Sequence, residues 1–157
     1  MGTFATSWTT GDTIPASELN TLSGAWDTYT PSVGGTGFAL GNGTISGRWK
    51  KVGRVVAFSL QITWGSTSTY GAGPLTVSAP TAGASTHGFR FSGFIDDTGA
   101  SSYDLAGFLP AGSSTITLYA FNSAGTHTTL AAVTSTIPHT WANTDVIRLN
   151  GVYESST

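Results

Sequence analysis

A two-residue alternation of apolar and polar side chains over residues 53–64 constrains this fold more than any other feature of the sequence. The apolar side of the alternation consists of Val56, Phe58, Leu60, Ile62 and Trp64. Successive side chains of a β-strand point to opposite faces, so this run predicts a strand with one face in the core. Residues 43–51 alternate in the same way, and the connection at 51–54 is tight. The two runs therefore predict a β-hairpin.

Later segments repeat this pattern between pieces rich in Gly, Ser, Thr and Asp. They are residues 75–79, 88–95, 103–109, 114–121 and 145–154. Only 9% of the residues are charged, which disfavours a helical bundle, because the exposed faces of bundles are rich in Glu, Lys and Arg. We therefore predict an all-β fold of about seven or eight strands. Its expected form is an antiparallel, jelly-roll-like β-sandwich over residues 27–157, with a short N-terminal helical arm.

Residues 1–26 differ from this body. Pro15 stands in the first turn of a predicted short helix that reaches Leu22, and Gly24 ends it. The apolar side of such a helix is too short to be stable alone, so it packs either on its own domain or on another protein. The second possibility makes residues 1–26 an anchoring arm. Its candidate contact residues are Trp8, Leu19, Leu22 and Trp26.

Charge and N-terminal composition argue against several classes of function. Six basic residues against eight acidic ones, a net charge of −2, provide no basic surface for nucleic acid. The sequence contains no run of about 18 apolar residues, so no membrane span is predicted. The first eight residues lack the basic and apolar regions of a signal peptide. We therefore expect a chain that is made and kept in a cytosol, with no nucleic-acid partner and no membrane insertion. The low net charge favours an oligomer, whose subunits cover part of each other's surface.

No combination of residues predicts catalysis or a bound metal ion. Cysteine is absent, and the histidines lack the fixed spacings of zinc sites, so we expect them to be solvated. These histidines are His87, His127 and His139. No Gly-x-Ser-x-Gly elbow positions a nucleophilic serine. Asp96, Asp97 and Asp104 are best explained as turn-forming residues, although their oxygens could also form a calcium site. We predict no catalytic residue, no metal and no cofactor.

Aromatic residues remain as candidates for a binding site. Those on apolar strand faces, such as Phe58 and Phe91, are predicted core residues. Others lie in predicted turns beside polar residues, and this mixture suits the C–H faces and hydroxyl edges of sugars. Turn aromatics can equally mark subunit contacts. The candidate glycan-binding residues are Tyr70, Tyr103, Trp141, Asp96, Asp97 and Asn143.

The pattern of strand and turn residues over 41–73 resembles a known family. Its sequence is GNGTISGRWKKVGRVVAFSLQITWGSTSTYGAG. It is similar to a module of minor tail proteins of tailed phages, particularly phages of actinobacterial hosts. Residues 8–12, 16, 19–20 and 26–31 are similar to the segment that precedes this hairpin in such proteins, and residues 149–154 are similar to their closing strand.

The resemblance implies a homotrimeric, β-rich part of a tail tip, fibre or spike that adsorbs to the host envelope. The implied partners are further copies of this chain, other virion tail proteins and a host-envelope glycan, and residues 1–26 become a virion-anchoring arm. Many proteins of the family carry the module inside longer chains, so attachment here is expected to depend on that arm or on the trimer. The family has no catalytic signature, and three alternatives stay open: a capsid decoration or head-spike protein, a glycan-cleaving depolymerase, and a free-standing carbohydrate-binding module, which the missing signal peptide disfavours.

Overall fold

A computed structural model describes residues 9–123 and 126–157, without the side chains of residues 21–23. Two predicted anchor residues therefore lie outside the described part, Trp8 entirely and Leu22 in its side chain. The helix and strands follow one another in the order α1 Ala16–Ser23, β1 Asp27–Tyr29, β2 Val33–Gly34, β3 Thr44–Val52, β4 Val55–Thr63, β5 Thr76–Ser78, β6 Phe89–Asp97, β7 Ser101–Leu109, β8 Thr115–Asn122, β9 Thr129–Ala132 and β10 Val146–Glu154.

The predicted all-β antiparallel class is confirmed, since ten strands pair antiparallel throughout the described residues. The hairpin of β3 and β4 and the five later predicted strands are all present, with ends shifted by one or two residues. The predicted strand number is too low, because β1, β2 and β9 were not foreseen. These strands are two to four residues long, which is too short to show a two-residue period.

The sheet curls until its two outermost strands are neighbours along the chain. The strand order is β1-β3-β4-β10-β6-β7-β8-β5-β2, with β9 beside β8. Only residues 30–32 join β1 to β2, a link of about 14 Å at full extension. The amide of Ser32 donates to Ser78 Oγ at 2.9 Å, and the amide of Ser78 donates to the Ser32 carbonyl at 3.0 Å. A flat sheet of this width cannot bring its edges so close, so the sheet wraps around one core in a sandwich-like arrangement.

The core lies on the inward face of this curled sheet. The predicted apolar side of β4 is confirmed, since its residues from Val56 to Trp64 are at most 2% exposed. Phe58 packs edge-on against Phe91 of β6, with ring centroids 4.8 Å apart. Each such buried side chain contributes about 1.5–3 kcal/mol to folding. Gly47 on β3 has a specific role, because a Cβ atom there would lie 2.3 Å from the ring of Tyr29. The glycine lets that ring lie against the sheet.

Helix α1 lies beside the end of the sheet where β3 turns into β4, residues 52–55, hereafter the hairpin end. Strand β1 fixes this position, since Asp27 pairs with Trp49 near the end of β3. Gly24 ends the helix as predicted, and its amide donates to the Asn20 carbonyl at 2.7 Å. Lys50 Nζ donates to the Gly24 carbonyl. Two predicted anchor residues are exposed, Leu19 by 55% and Trp26 by 41%. Neither α1 nor any other described segment forms a helix with the length and apolar character needed to cross a membrane.

Candidate functional site

The alternation that buries the core continues past several strand ends and turns four side chains inward at one end of the sheet, hereafter the aromatic end. Trp64 follows β4, Asp97 ends β6, Tyr103 lies in β7 and Asp145 precedes β10. Trp64 and Asp145 are each 1% exposed, whereas Tyr103 and Asp97 are half-buried. The register places Ile95 opposite both Tyr103 and Ile147. The aromatic end therefore lies directly on top of the apolar core.

Two further aromatic rings at this end belong to loop residues. Tyr70 packs edge-on against Trp64 at 5.3 Å and stacks with Trp141 at 6.4 Å and 20°. Trp141 is only 5% exposed, and its Nε1 donates to the Thr134 carbonyl at 2.7 Å. The prediction of Trp141 as a sugar-binding surface is therefore corrected, because its ring closes the core and offers no free face. Burial raises the pKa of Tyr70, and the nearby Asp145 carboxylate raises it further.

His139 overturns the expectation that all three histidines are solvated. Its side chain is 7% exposed, and its Nε2 lies 3.0 Å from Asp145 Oδ2. Its ring stacks on Tyr103 at 5.3 Å and 7°, and it lies 4.6 Å from the ring of Trp141. The flanking rings and the buried acid explain why it is drawn inward. His87 and His127 are exposed, as expected.

Asp145 is the polar centre of this end. Its Oδ1 accepts the Thr98 amide at 3.1 Å, and its Oδ2 accepts the Ala142 amide at 2.7 Å. Thr98 Oγ1 also donates to the Thr144 carbonyl at 2.7 Å. These bonds tie the turn after β6 to the loop before β10. They hold the carboxylate in place beside the ring of His139.

The remaining predicted site residues divide between the two faces of the sheet. Asp96 lies on the outer face, where it accepts Ser102 Oγ at 2.6 Å and pairs with Arg148 at 3.3 Å. Asp97 is the next residue along β6, so its side chain points to the inner face, and the two neighbouring acids do not share a face. Asp104 is exposed, opposite Phe94. The three acids predicted as a possible calcium site therefore do not come together. Their placement does not support that site.

Cavities open beside both halves of the aromatic end. One, of about 360 Å³, is lined by Tyr103, Phe121, Ile137 and Pro138 together with polar groups of β8. The other, also of about 360 Å³, lies over the turn from Asp97 to Ser101. Such volumes fit small ligands. Asn143, the last predicted residue, is exposed in the adjoining loop.

Phe121 is a site residue that the sequence reasoning missed. It is 48% exposed at the end of β8. A signal was present, because the buried positions of this strand are Ile116, Leu118 and Ala120. Position 121 is out of phase with them and so falls on the exposed side, where a large aromatic side chain is unusual.

Comparison of this chain with known protein families, with curated proteins and with solved structures finds no match. The site is therefore interpreted from its own residues.

Proposed function

We propose that this chain is a non-enzymatic attachment protein in the tail of a phage virion, and that its aromatic end binds a glycan of the host envelope. The observation that carries the glycan part is the cavity bordered by Tyr103 and Phe121. One face of Tyr103 is fixed against His139, so its ring is held ready before any ligand arrives. A fixed aromatic wall beside hydroxyl and amide groups suits a sugar ring.

The tail location is supported by the resemblance of residues 41–73 to minor tail proteins. The placement of the arm agrees with this proposal, because α1 lies at the hairpin end and the cavity lies at the opposite end of the strands. A protein attached through its arm would present the cavity outward. In a trimer, three weak sites on one particle would gain avidity through their high effective concentration.

The non-enzymatic part is supported by the state of the carboxylates. A glycosidase needs two carboxyl groups that flank the scissile bond of the sugar. Asp145 is 1% exposed and accepts two backbone amides, so a sugar ring has no access to it. Asp96 is engaged by Arg148 and Ser102 on the outer face. Release of reducing sugar from host envelope by the wild type, lost in Asp97→Asn, would favour the depolymerase alternative.

The glycan proposal is tested by binding of purified protein to actinobacterial cells and to wall polysaccharide prepared from them. Tyr103→Ala should lower the affinity about tenfold or more, since the variant removes the inward-facing aromatic wall of the cavity. Phe94→Ala is the matched control. Phe94 is 39% exposed on the outer face, where the Arg148 guanidinium lies 5.2 Å from its ring centroid. Equal binding by wild type and Tyr103→Ala would contradict the proposal.

The tail location is tested separately by gold-labelled antibody against this chain on intact virions. Label at the tail tip or fibre is the expected result. Label on the head would favour the capsid decoration or head-spike alternative, whatever the outcome of the binding assay.

A further inference from the structure

Three metal-ligating side chains meet at the aromatic end, although they come from separate parts of the chain. Asp97 ends β6, His139 lies in the loop after β9, and Asp145 precedes β10. One potential ligand atom from each lies within 4.8 Å of the others. No other group of this kind occurs among residues 9–123 and 126–157. The curled sheet, rather than any sequence motif, brings these donors together.

The charges in this cluster lack a permanent counter-charge. Asp145 is almost completely buried and Asp97 is half-buried. In the described part of the chain, no Lys or Arg forms an ion pair with either carboxylate, and Arg148 is paired with Asp96 instead. Among the described residues, His139 lies within ion-pair distance of Asp145, and Asp97 has no basic partner. Even a protonated His139 would leave one negative charge in excess, and burying charge without compensation is costly.

The imidazole of His139 faces the cluster through Nε2, and its ring is held firmly in that orientation. Its side chain is only 7% exposed, yet its Nδ1 atom has no hydrogen-bond partner. Nδ1 points away from Nε2, the nitrogen that faces Asp145 Oδ2, so it is not itself a ligand, and within the described residues the ring's one hydrogen bond is that to Asp145. The stacking with Tyr103 and the contact with Trp141 fix the orientation of the ring. Fixed orientation of this kind is what outer-shell residues provide for metal-ligating histidines.

We propose that Asp97, His139 and Asp145 bind one divalent transition-metal ion. The combination of one imidazole and two carboxylates suits Zn²⁺ or Mn²⁺, whereas Ca²⁺ and Mg²⁺ prefer oxygen donors alone. The 3.0 Å between His139 Nε2 and Asp145 Oδ2 is a hydrogen-bond distance, and an ion about 2.1 Å from each atom at roughly a right angle would replace the shared proton without moving either side chain.

The surroundings meet two further requirements of such a site. The amides of Thr98 and Ala142 hold the Asp145 carboxylate in place, so it is fixed before an ion arrives. Asp97 lines the cavity over the turn from Asp97 to Ser101. Because Asp97 is also half-buried, an ion and its bound water would reach the cluster from solvent at this residue.

The test measures uptake of Zn²⁺, Mn²⁺ and Ca²⁺ by the EDTA-treated protein, using equilibrium dialysis with elemental analysis. The wild type should bind one Zn²⁺ or Mn²⁺ per chain at micromolar concentration, in preference to Ca²⁺, and its Tm should rise with the bound ion. Binding should also change the fluorescence of the tryptophan cluster, since Trp141 contacts His139.

Asp97→Asn is the decisive variant, because no hydrogen bond of its carboxylate is present among the described residues and the change should leave the fold intact. It should weaken Zn²⁺ binding at least tenfold and abolish the rise in Tm. Asp96→Asn, the adjacent acid on the opposite face, is the matched control and should bind as the wild type does. Failure of the wild type to take up Zn²⁺ or Mn²⁺, or equal uptake by Asp97→Asn, would overturn the proposal and leave His139 and Asp145 as a plain ion pair.

Discussion

The two ends of the curled sheet surround their buried polar groups with different side chains. At the hairpin end, the Tyr153 hydroxyl accepts the Thr81 amide at 3.1 Å and donates to the Thr81 carbonyl at 2.9 Å. Four described side-chain atoms are buried without a hydrogen-bond partner: Glu18 Oε2 and Tyr29 Oη in α1 and β1, and Trp64 Nε1 and His139 Nδ1 at the aromatic end. Leaving a buried polar group unpaired costs about 1–3 kcal/mol. Both ends carry this cost, but at the aromatic end it falls within a cluster of rings beside the buried Asp145 carboxylate.

The difference indicates that the two ends are built for different tasks. Unsatisfied buried groups in native proteins concentrate at functional sites, where a ligand can complete them. The aromatic end fits that description, with its ring cluster, its buried acid and two adjoining cavities. The hairpin end exposes aliphatic side chains on its outer face, Val52, Val55 and Val152, together with the ring of Trp26. That surface suits contact with other proteins better than recognition of a polar ligand.

Replacing one tryptophan at each end should give the largest difference in the free energy of unfolding. Trp64 is 1% exposed and contacts the rings of Phe38, Tyr70 and Trp141. Trp64→Ala should therefore lower the free energy of unfolding by about 3–5 kcal/mol. Trp26→Ala should change it by no more than about 0.5 kcal/mol, because that ring is exposed at the arm. Urea unfolding at pH 7 measures both values, and similar losses in the two variants would contradict the division between core and arm.

Deletion of one hydroxyl tests how polar groups are satisfied away from the aromatic end. Tyr153→Phe should lower the free energy of unfolding by about 1–3 kcal/mol, because the Thr81 amide and carbonyl lose their partner. Tyr29→Phe is the matched change, since the Tyr29 hydroxyl is buried without a hydrogen-bond partner. It should leave stability unchanged or raise it by up to about 1 kcal/mol. Equal destabilisation by the two variants in urea unfolding would show that the Thr81 bonds contribute nothing.

Alternation in the sequence was sufficient to predict the parts of the fold that depend on local pattern. The inward residues of β4 and the β3–β4 hairpin follow directly from it, and so does the end of α1 at Gly24. The pairing of β10 between β4 and β6 could not be predicted, because no local signal specifies which distant strands become neighbours. The short strands at the sheet edges were not predicted for the same reason, because their pairing depends on tertiary context.

Prediction of the site was limited for a similar reason. The predicted residues Tyr70 and Tyr103 do lie at one end of the sheet, since both border the ring cluster there. The burial of His139 and Trp141 depends on contacts between the loop after β9 and strand ends far away in sequence. A loop histidine is solvated unless distant residues cover it, and nothing near His139 in the sequence reveals that Asp145 is buried beside it.

The smallest effect is expected at alkaline pH, away from the aromatic end. Burial raises the pKa of the Tyr29 phenol above its ordinary value, and the nearby Tyr153 raises it further. The folded state therefore keeps this phenol protonated at pH values where the unfolded chain ionises it. The stabilising contribution is complete below the unfolded pKa of about 10 and is lost as the pH rises towards the folded pKa. One phenol changes stability by at most about 1.4 kcal/mol per pH unit in this window.

Urea unfolding at pH 9, 10 and 11 measures this loss in the wild type and in Tyr29→Phe. The wild type should lose stability between pH 10 and 11, and the variant should lose measurably less, because it has no phenol at position 29 to ionise on unfolding. Below pH 9 the two proteins should show the same dependence on pH, which serves as the internal control. A parallel decline of both proteins up to pH 11 would mean that the phenol ionises as easily in the folded protein as in water. Tyr29 would then pack too loosely against Gly47 to exclude solvent. The β1–β3 edge would in that case be no better covered than the exposed arm beside it.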